Sequence, residues 1–507
     1  MASFPILTWM LLLPLIGAFV ILGVPRERVG TIRWVALGTS LGVLALGLGL
    51  LSGFDPAQPG PQFVHHWDWA PSIGAAYRVG VDGISLWLVL LTALIFPLAL
   101  MASWAIEERV KEYMALMLLL ETGVLGVFLA LDLLLFYIFW EFTLVPMTLL
   151  IGIWGGPRRI YAAIKFFLYT MAGSVFMLVA IVAMWLLSRP LTETGTFDPV
   201  WMASHLSPLL SPAAQRWLFL AFGLAFAIKV PMWPFHSWLP DAHVEAPTAG
   251  SVILAALLLK MGAYGFLRFN FSLFPVAAQE LAVPVALLAV VAILYGALAS
   301  YAQDDFKRLV AFSSVSHMGF VMLGLSALNP LGVQAALLQM VNHGLSTGGL
   351  FLLVGMLYER THTRDFRELG GLWKVLPIYG GILIVVGLSS MGLPGLNGFV
   401  GEFLILLGAF GSGALGPAAR GLTAAAALGV VLAAIYILTM LMRVLHGPLP
   451  DRWRGLPDLS GRELAIMAPL LALILLIGLY PMPFFAAMQA SIRQGMEAFA
   501  QAALAAR

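Results

Sequence analysis

Apolar runs of about twenty residues alternate with short polar connections along almost the whole chain. A helix needs about 20 apolar residues to cross a hydrocarbon core roughly 30 Å thick. The pattern predicts fourteen spans, at 5–24, 32–52, 83–105, 112–131, 133–152, 160–187, 216–236, 247–270, 281–301, 308–327, 331–358, 376–410, 420–445 and 464–485. Two are discontinuous. The seventh is interrupted at Pro231 and Pro234, and the twelfth, too long for one straight helix, at the GLPGLNG stretch from Gly392 to Gly398. Proline removes a backbone donor and glycine lowers helix propensity, so both are expected to be broken helices. The first run has no basic leader and no small-residue cleavage site, so it is expected to be retained as a span.

Spans 4–8 and 9–13 form two five-helix blocks, each with its broken helix in fourth place. An odd number of spans repeated in tandem must be inverted in the membrane. Matched breaks in two halves point to an ion site near the midplane. The expected fold is an all-α polytopic membrane protein: helices 1–3 with an outer loop over 1–111, a first repeat over 112–270, a second over 271–446, and the last helix with a short C-terminal tail over 447–507. The connections 53–82 and 188–215 are read as long loops whose Trp67, Trp69 and Trp201 suit an interfacial belt.

Composition supports the membrane reading. The chain is 61% hydrophobic and 10% charged, against about 25% charged in a soluble domain. A net charge of +2 gives no electrostatic case for nucleic acid. There is no cysteine, which excludes disulfides and thiolate-held iron–sulfur clusters in this chain. Lys and Arg gather in alternate connections, among them Arg26, Arg109, Arg158, Arg364 and Arg452. That bias puts those connections on the cytoplasmic side and both termini on the outer side.

Against this background the charges inside spans stand out, because an ionisable group in hydrocarbon needs a partner, a wet cavity or a function. Glu141 lies about nine residues into the fifth span, and Lys229 sits at similar depth beside the break of the seventh. The two are expected to form an ion pair whose closing and opening would hold or release the lysine's proton, or else a static pair that orders the helices. Lys260, His317 and His343 would extend a line of titratable groups along the membrane plane. Ser313, Ser314, Ser316, Asn342, Ser346 and Thr347 favour a hydrated path, or alternatively close helix packing. Glu402, just past the second break, is a candidate exit group. Lys165, near the end of the sixth span, could snorkel or take part. His236 and His243, with Asp241 and Glu245, match no trusted metal-ligand spacing and read as a polar entry or a satisfied loop. Asp132 reads as a helix cap and Glu121 as a residue bordering the fourth span.

The stretches FYIFWEFTLVPM, PMWPFHSWLPDAHVEAPTAGSVILAALLLKMGAYGFLRF and YAQDDFKRLVAFSSVSHMGF resemble the antiporter-like membrane subunits of respiratory complex I, over nearly the whole chain. Glutamate rather than lysine at 402, and about twenty residues after the last span rather than a long lateral arm, resemble the M-type branch. The resemblance implies fourteen helices with two inverted repeats. It implies Glu141 and Lys229 as a coupled pair, Lys260 as the central lysine, His317 and His343 as connecting groups, and Glu402 as the acid of the twelfth helix. It implies a proton-translocating role in NADH–quinone oxidoreductase, with FMN, iron–sulfur clusters and quinone in partner subunits and no cofactor or metal here. Its partners would be other membrane subunits, including other antiporter-like ones, in a bacterial inner membrane. A subunit of a multisubunit Na⁺/H⁺ antiporter and a passive membrane scaffold are the competing expectations.

Overall fold

The structure, a computed structural model, describes residues 5–505. Twelve of its helices are long and apolar enough to cross a membrane. They include α1 (Ile6–Gly23), α2 (Val29–Gly53), α3 (Leu86–Ala102), α4 (Val110–Leu129), α5 (Leu133–Trp154) and α6 (Arg159–Thr192). The seventh passage is split into α7 (Pro212–Lys229) and α8 (Trp238–Glu245). Then come α9 (Thr248–Leu273), α10 (Ala282–Tyr301), α11 (Phe306–Ser326) and α12 (Pro330–Thr361). The twelfth passage is split into α13 (Pro377–Ser390) and α14 (Asn397–Phe410), and α15 (Ala419–Leu445) and α16 (Gly461–Leu479) follow. Counting each split passage once gives the fourteen spans and both breaks read from the sequence.

Helix lengths repeat in order. α4, α5 and α6 have 20, 22 and 34 residues, then the split passage, then α9 with 26. α10, α11 and α12 have 20, 21 and 32, then the split passage, then α15 with 27. The longest member stands third in both blocks. Helix starts are fixed locally: Asp132 accepts from Leu135 N at 2.9 Å, Asp305 from Arg308 N at 2.8 Å, and Asn329 from Gly332 N at 2.8 Å. Such caps satisfy backbone donors that have no partner inside the helix. Asp132 is thus the cap expected of it, and burial pushes its carboxyl up to about 6 against the pull of its backbone donors.

α9, α11 and α12 are enclosed on every side, while α1, α2, α6 and α15 turn much of their apolar surface outward. The three enclosed helices carry Lys260, His317 and His343.

Two terminal expectations are corrected. The 53–82 connection is largely an antiparallel hairpin, β1 (Gln62–Ala70) with β2 (Ala75–Val81), in register with Trp67 opposite Tyr77. Hydropathy missed it because its strands lie outside the spans. Its Ala76 N–H donates to Asp132, and Arg78 pairs with Asp198 in the next long connection. The tail is α17 (Met482–Ala505), a 24-residue helix set off from α16 by Tyr480 and Pro481. It packs against α12 and the short helix Pro275–Glu280. Ser491 Oγ accepts from Gly83 N at 2.9 Å and donates to Pro59 O at 2.8 Å, tying α17 to the hairpin and the start of α3. A side chain at Gly83 would strike the backbone of Ala487 and Met488. Glu121, expected at the edge of α4, lies midway along it, fully buried and accepting from Ser40 Oγ at 2.9 Å.

α12 is joined to α16 by a bidentate pair, Arg360 to Glu463, at 2.6 and 2.7 Å. Removing one partner of this partly buried pair leaves the other charge without its counter-ion. Arg360→Ala is expected to lower stability by about 2 kcal/mol, read as an earlier midpoint in thermal unfolding of the detergent-solubilised protein.

Candidate functional site

α9 departs from regular helix at two π-helical turns, Leu254–Leu258 and Phe266–Asn270. Such wide turns shift carbonyls out of the regular ladder and recur at functional sites. Lys260 follows the first. Its Nζ donates to Ala255 O inside that turn and to His343 Nδ1 at 2.6 Å. When Lys260 is an ammonium it has only donors, so Nδ1 then accepts from it and the neutral ring keeps its proton on Nε2. Nε2 is buried with no protein partner.

The ring of His317 lies 5.7 Å from that of His343, centroid to centroid. His317 Nδ1 is 2.7 Å from Glu402 Oε1, which also accepts from Gln339 Nε2 at 3.0 Å. On its far side, His317 Nε2 is 3.0 Å from Tyr436 Oη and 3.4 Å from Ser390 Oγ. Glu402 Oε2 is buried and unpartnered. Lys260, His343, His317 and Glu402 therefore stand in a row across four helices, with His343 rather than His317 next to Lys260.

The row ends at the second break, which side chains hold open. Asn397 Oδ1 accepts from Ser389 Oγ at 2.5 Å, Asn397 Nδ2 donates to Asn342 O at 3.3 Å, and Asn342 Nδ2 donates to Asn397 O at 2.7 Å. Gly392 and Gly395 have φ of +79° and +91°, which L side chains rarely adopt. This is what GLPGLNG encodes. Between the two histidines and the break is a small cavity lined by His317, Asn342, His343, Thr347, Ser389 and Ser390. It admits water centres over about 10 Å³, room for one water molecule. His343 Nε2, Asn342 Oδ1 and Thr347 Oγ1 are the unpartnered buried atoms of its lining. Ser313, Ser314 and Ser316 instead donate to backbone carbonyls.

The first half is arranged differently. Lys229 is buried at the end of α7, with Nζ 5.3 Å from the ring centre of Trp140 and 5.7 Å from that of Phe166. The pair expected to close and open stands apart here: among the described residues no hydrogen bond or ion pair joins Lys229 to Glu141, or to Lys260. Glu141 acts on Lys229 only through space. It is half-buried on the lateral face of α5, beside the outward-facing Ile138 and Val145, with Oε1 unpartnered. Beside Lys229 is an aromatic cluster in which Phe226 meets Trp140 at 5.5 Å and Phe266 at 5.7 Å. The row is thus interrupted between Lys229 and Lys260.

The secondary candidates divide. Lys165 does not snorkel; it pairs with Asp241 of α8 at 2.7 Å, beside a Tyr169–Ser237 hydrogen bond of 2.8 Å. His236 packs edge-on against Tyr295 at 4.8 Å. His243 is fully buried, stacked on Phe351 at 4.5 Å, with both ring nitrogens unpartnered and the charges of Lys260 and Lys307 within electrostatic reach. Among the described residues no three His, Asp or Glu are grouped to hold a metal.

Four groups escaped sequence reading. Gln339 could have been found: with Asn342, His343 and Ser346 it falls at i, i+3, i+4 and i+7, one helix face. Lys307 looked like a loop residue, yet the Asp305 cap draws it into the first turn of α11, where it is buried and donates to Ala246 O at 2.6 Å. Tyr436 and Asn397 gave no signal, because nothing in their own segments reveals what lies opposite.

Two split helices around a buried polar row define an ion-handling transporter of the inverted-repeat class. The chain belongs to the NADH:quinone oxidoreductase/Mrp antiporter transmembrane family, whose pattern it matches over residues 130–445. It is 49% identical over 460 residues to NADH-quinone oxidoreductase subunit M of Rhodobacter capsulatus, covering 89% of this chain and 87% of that one. It is 43% identical to the Pseudomonas aeruginosa subunit M, covering 98% and 99%. Among solved structures it superposes on a chain of respiratory complex I from Thermus thermophilus with bound NADH, with a TM-score of 0.87, 34% identity and coverage of 98% and 99%. A chain of the Mrp complex from Dietzia sp. DQ12-45-1b gives a TM-score of 0.82 at 26% identity, with 52% of that chain covered.

The Lys165–Asp241 pair lies off the row and joins α6 to α8. Lys165→Met is expected to cost about 1 kcal/mol of stability while leaving proton transport per electron at the wild-type value, measured by quenching of a pH-gradient dye in membrane vesicles.

Proposed function

We propose that this chain is a proton-translocating membrane subunit of an NADH:quinone oxidoreductase, moving protons in response to quinone reduction in partner subunits. The observation that carries the reading is the row Lys260–His343–His317–Glu402, which crosses the bundle through its three most enclosed helices and ends at a helix break. Each member gains or loses a proton, and one water in the adjoining cavity would partner His343 Nε2 and stand between the two imidazoles. FMN, iron–sulfur clusters and quinone would belong to other subunits of the complex.

In this reading a proton enters from the Arg-rich face and is held on the row. It leaves from Glu402, whose Oε2 is free of protein partners. Lys229 and Glu141 supply the control. With Glu141 close, Lys229 keeps its proton; with Glu141 withdrawn, that support is lost and the proton can leave. The separated arrangement is the one in which Lys229 is poised to give up its proton toward Lys260. The charge bias of the connections supports a bacterial inner membrane location with both termini on the outer side. The likeness to an Mrp complex chain keeps a Na⁺/H⁺ antiporter subunit as the second reading.

The test is quinone-dependent proton pumping in vesicles containing the assembled complex. Glu141→Ala, Lys229→Ala and Glu402→Ala are each expected to lower protons moved per electron at least tenfold, with the subunit still present by immunoblot. Unchanged pumping in all three would overturn the reading, and Na⁺-dependent exchange without redox partners would favour the antiporter.

A further inference from the structure

Tyr436 of α15 is fully buried and takes no part in the row, yet its hydroxyl faces His317 Nε2 at 3.0 Å. It stands on the side of the ring opposite Glu402. Ser313 of α11, whose own hydroxyl donates to Val310 O at 2.8 Å, lies within side-chain reach of it. The charged and titratable groups facing His317 are Glu402 from α14, His343 from α12 and Tyr436 from α15, with Lys260 of α9 behind His343. Ser316 turns to Ile293 O of α10 and leaves that side closed.

An imidazole between a carboxylate and a hydroxyl has a forced proton arrangement. An ionised Glu402 can only accept, so Nδ1 carries a proton and donates to it. In the neutral ring Nε2 is then a bare acceptor and needs a donor. In the protonated ring Nε2–H is a donor and needs an acceptor. A group that serves both states must switch roles without moving its heavy atoms, and a hydroxyl with a second acceptor in reach does so.

We propose that Tyr436 is a positioning residue whose hydroxyl rotor satisfies His317 in both protonation states, with Ser313 as its alternate acceptor. When His317 is neutral, Tyr436 donates to Nε2. When His317 takes a second proton, Nε2–H donates to Tyr436 Oη, and the tyrosine's own proton turns to Ser313 Oγ. No proton leaves the tyrosine. The arrangement keeps the ring fixed toward Glu402 in either state, and evens the cost of loading and unloading it. This rests on the translocation reading above.

Tyr436→Phe keeps the ring packing and removes the rotor. Nε2 is then left with Ser390 Oγ alone, at 3.4 Å, and a poorly paired charged donor is penalised more than a poorly paired neutral acceptor. His317 holds its proton less tightly. The alkaline limb of pumping per electron against pH is therefore expected to move to lower pH by about one unit, a tenfold weaker hold. Ser313→Ala, which only deletes a hydroxyl and carries the prediction should the tyrosine variant assemble poorly, is expected to give a smaller shift the same way. The double variant is expected to match Tyr436→Phe alone, because without the rotor Ser313 has nothing to accept. An alkaline limb that stays in place, or two shifts that add, overturns the assignment. Glu402→Ala measured in parallel separates this from the broader reading: the rotor alone is wrong when Glu402→Ala stops pumping and the Tyr436→Phe limb does not move.

Discussion

A charge cannot rest in hydrocarbon without a partner or water; even the milder scales put the cost at about 2.5–3.5 kcal/mol for each such group. Everything unusual in the core follows from how this chain meets that constraint. Along the row from Lys260 to Glu402 it is met by contact. Lys260 has a carbonyl freed by a π-helical turn and an imidazole; Glu402 has an imidazole and an amide. Elsewhere in the first half it is met only partly. Lys229 faces aromatic rings, and the acid that influences it stands apart on the outer wall of the bundle. The row can keep its charges; Lys229 needs a change elsewhere to settle its own.

The scaffold has the same division. Two blocks with matching helix lengths carry one break each, so two stretches of unwound backbone are available, one beside Lys229 and one beside Glu402. Outside the blocks, α17 and the hairpin clamp the start of α3, through Ser491 and through Trp87 Nε1 donating to Phe484 O at 3.1 Å. Neither element touches the row. Their work is to hold the ends of the bundle together while its centre handles charge.

The sequence was legible where one physical rule dominates. Hydropathy marks spans, and Pro231, Pro234 and GLPGLNG mark breaks, because hydrocarbon forbids unpaired backbone and these residues force it. Ionisable residues inside spans were also plain, since hydrocarbon makes them anomalies. Partnerships across helices were less so. Glu402 has no basic neighbour in sequence, yet it meets His317; Glu141 and Lys229, matched by depth, are kept apart by which way α5 turns its acid. The hairpin and α17 lie outside the spans, where hydropathy has no grip.

Lys260, His317 and His343 each lie within about a turn of the midpoint of their helices. A row at one depth runs along a surface of nearly constant electrical potential. A proton passing along it does almost no work against the membrane voltage, which amounts to about 2.3 kcal/mol per charge for each 100 mV crossed. The voltage is felt only in the vertical legs, between the row and either face. Those two legs, and not the longer horizontal one, would decide whether a charged membrane slows the protein or drives it backwards.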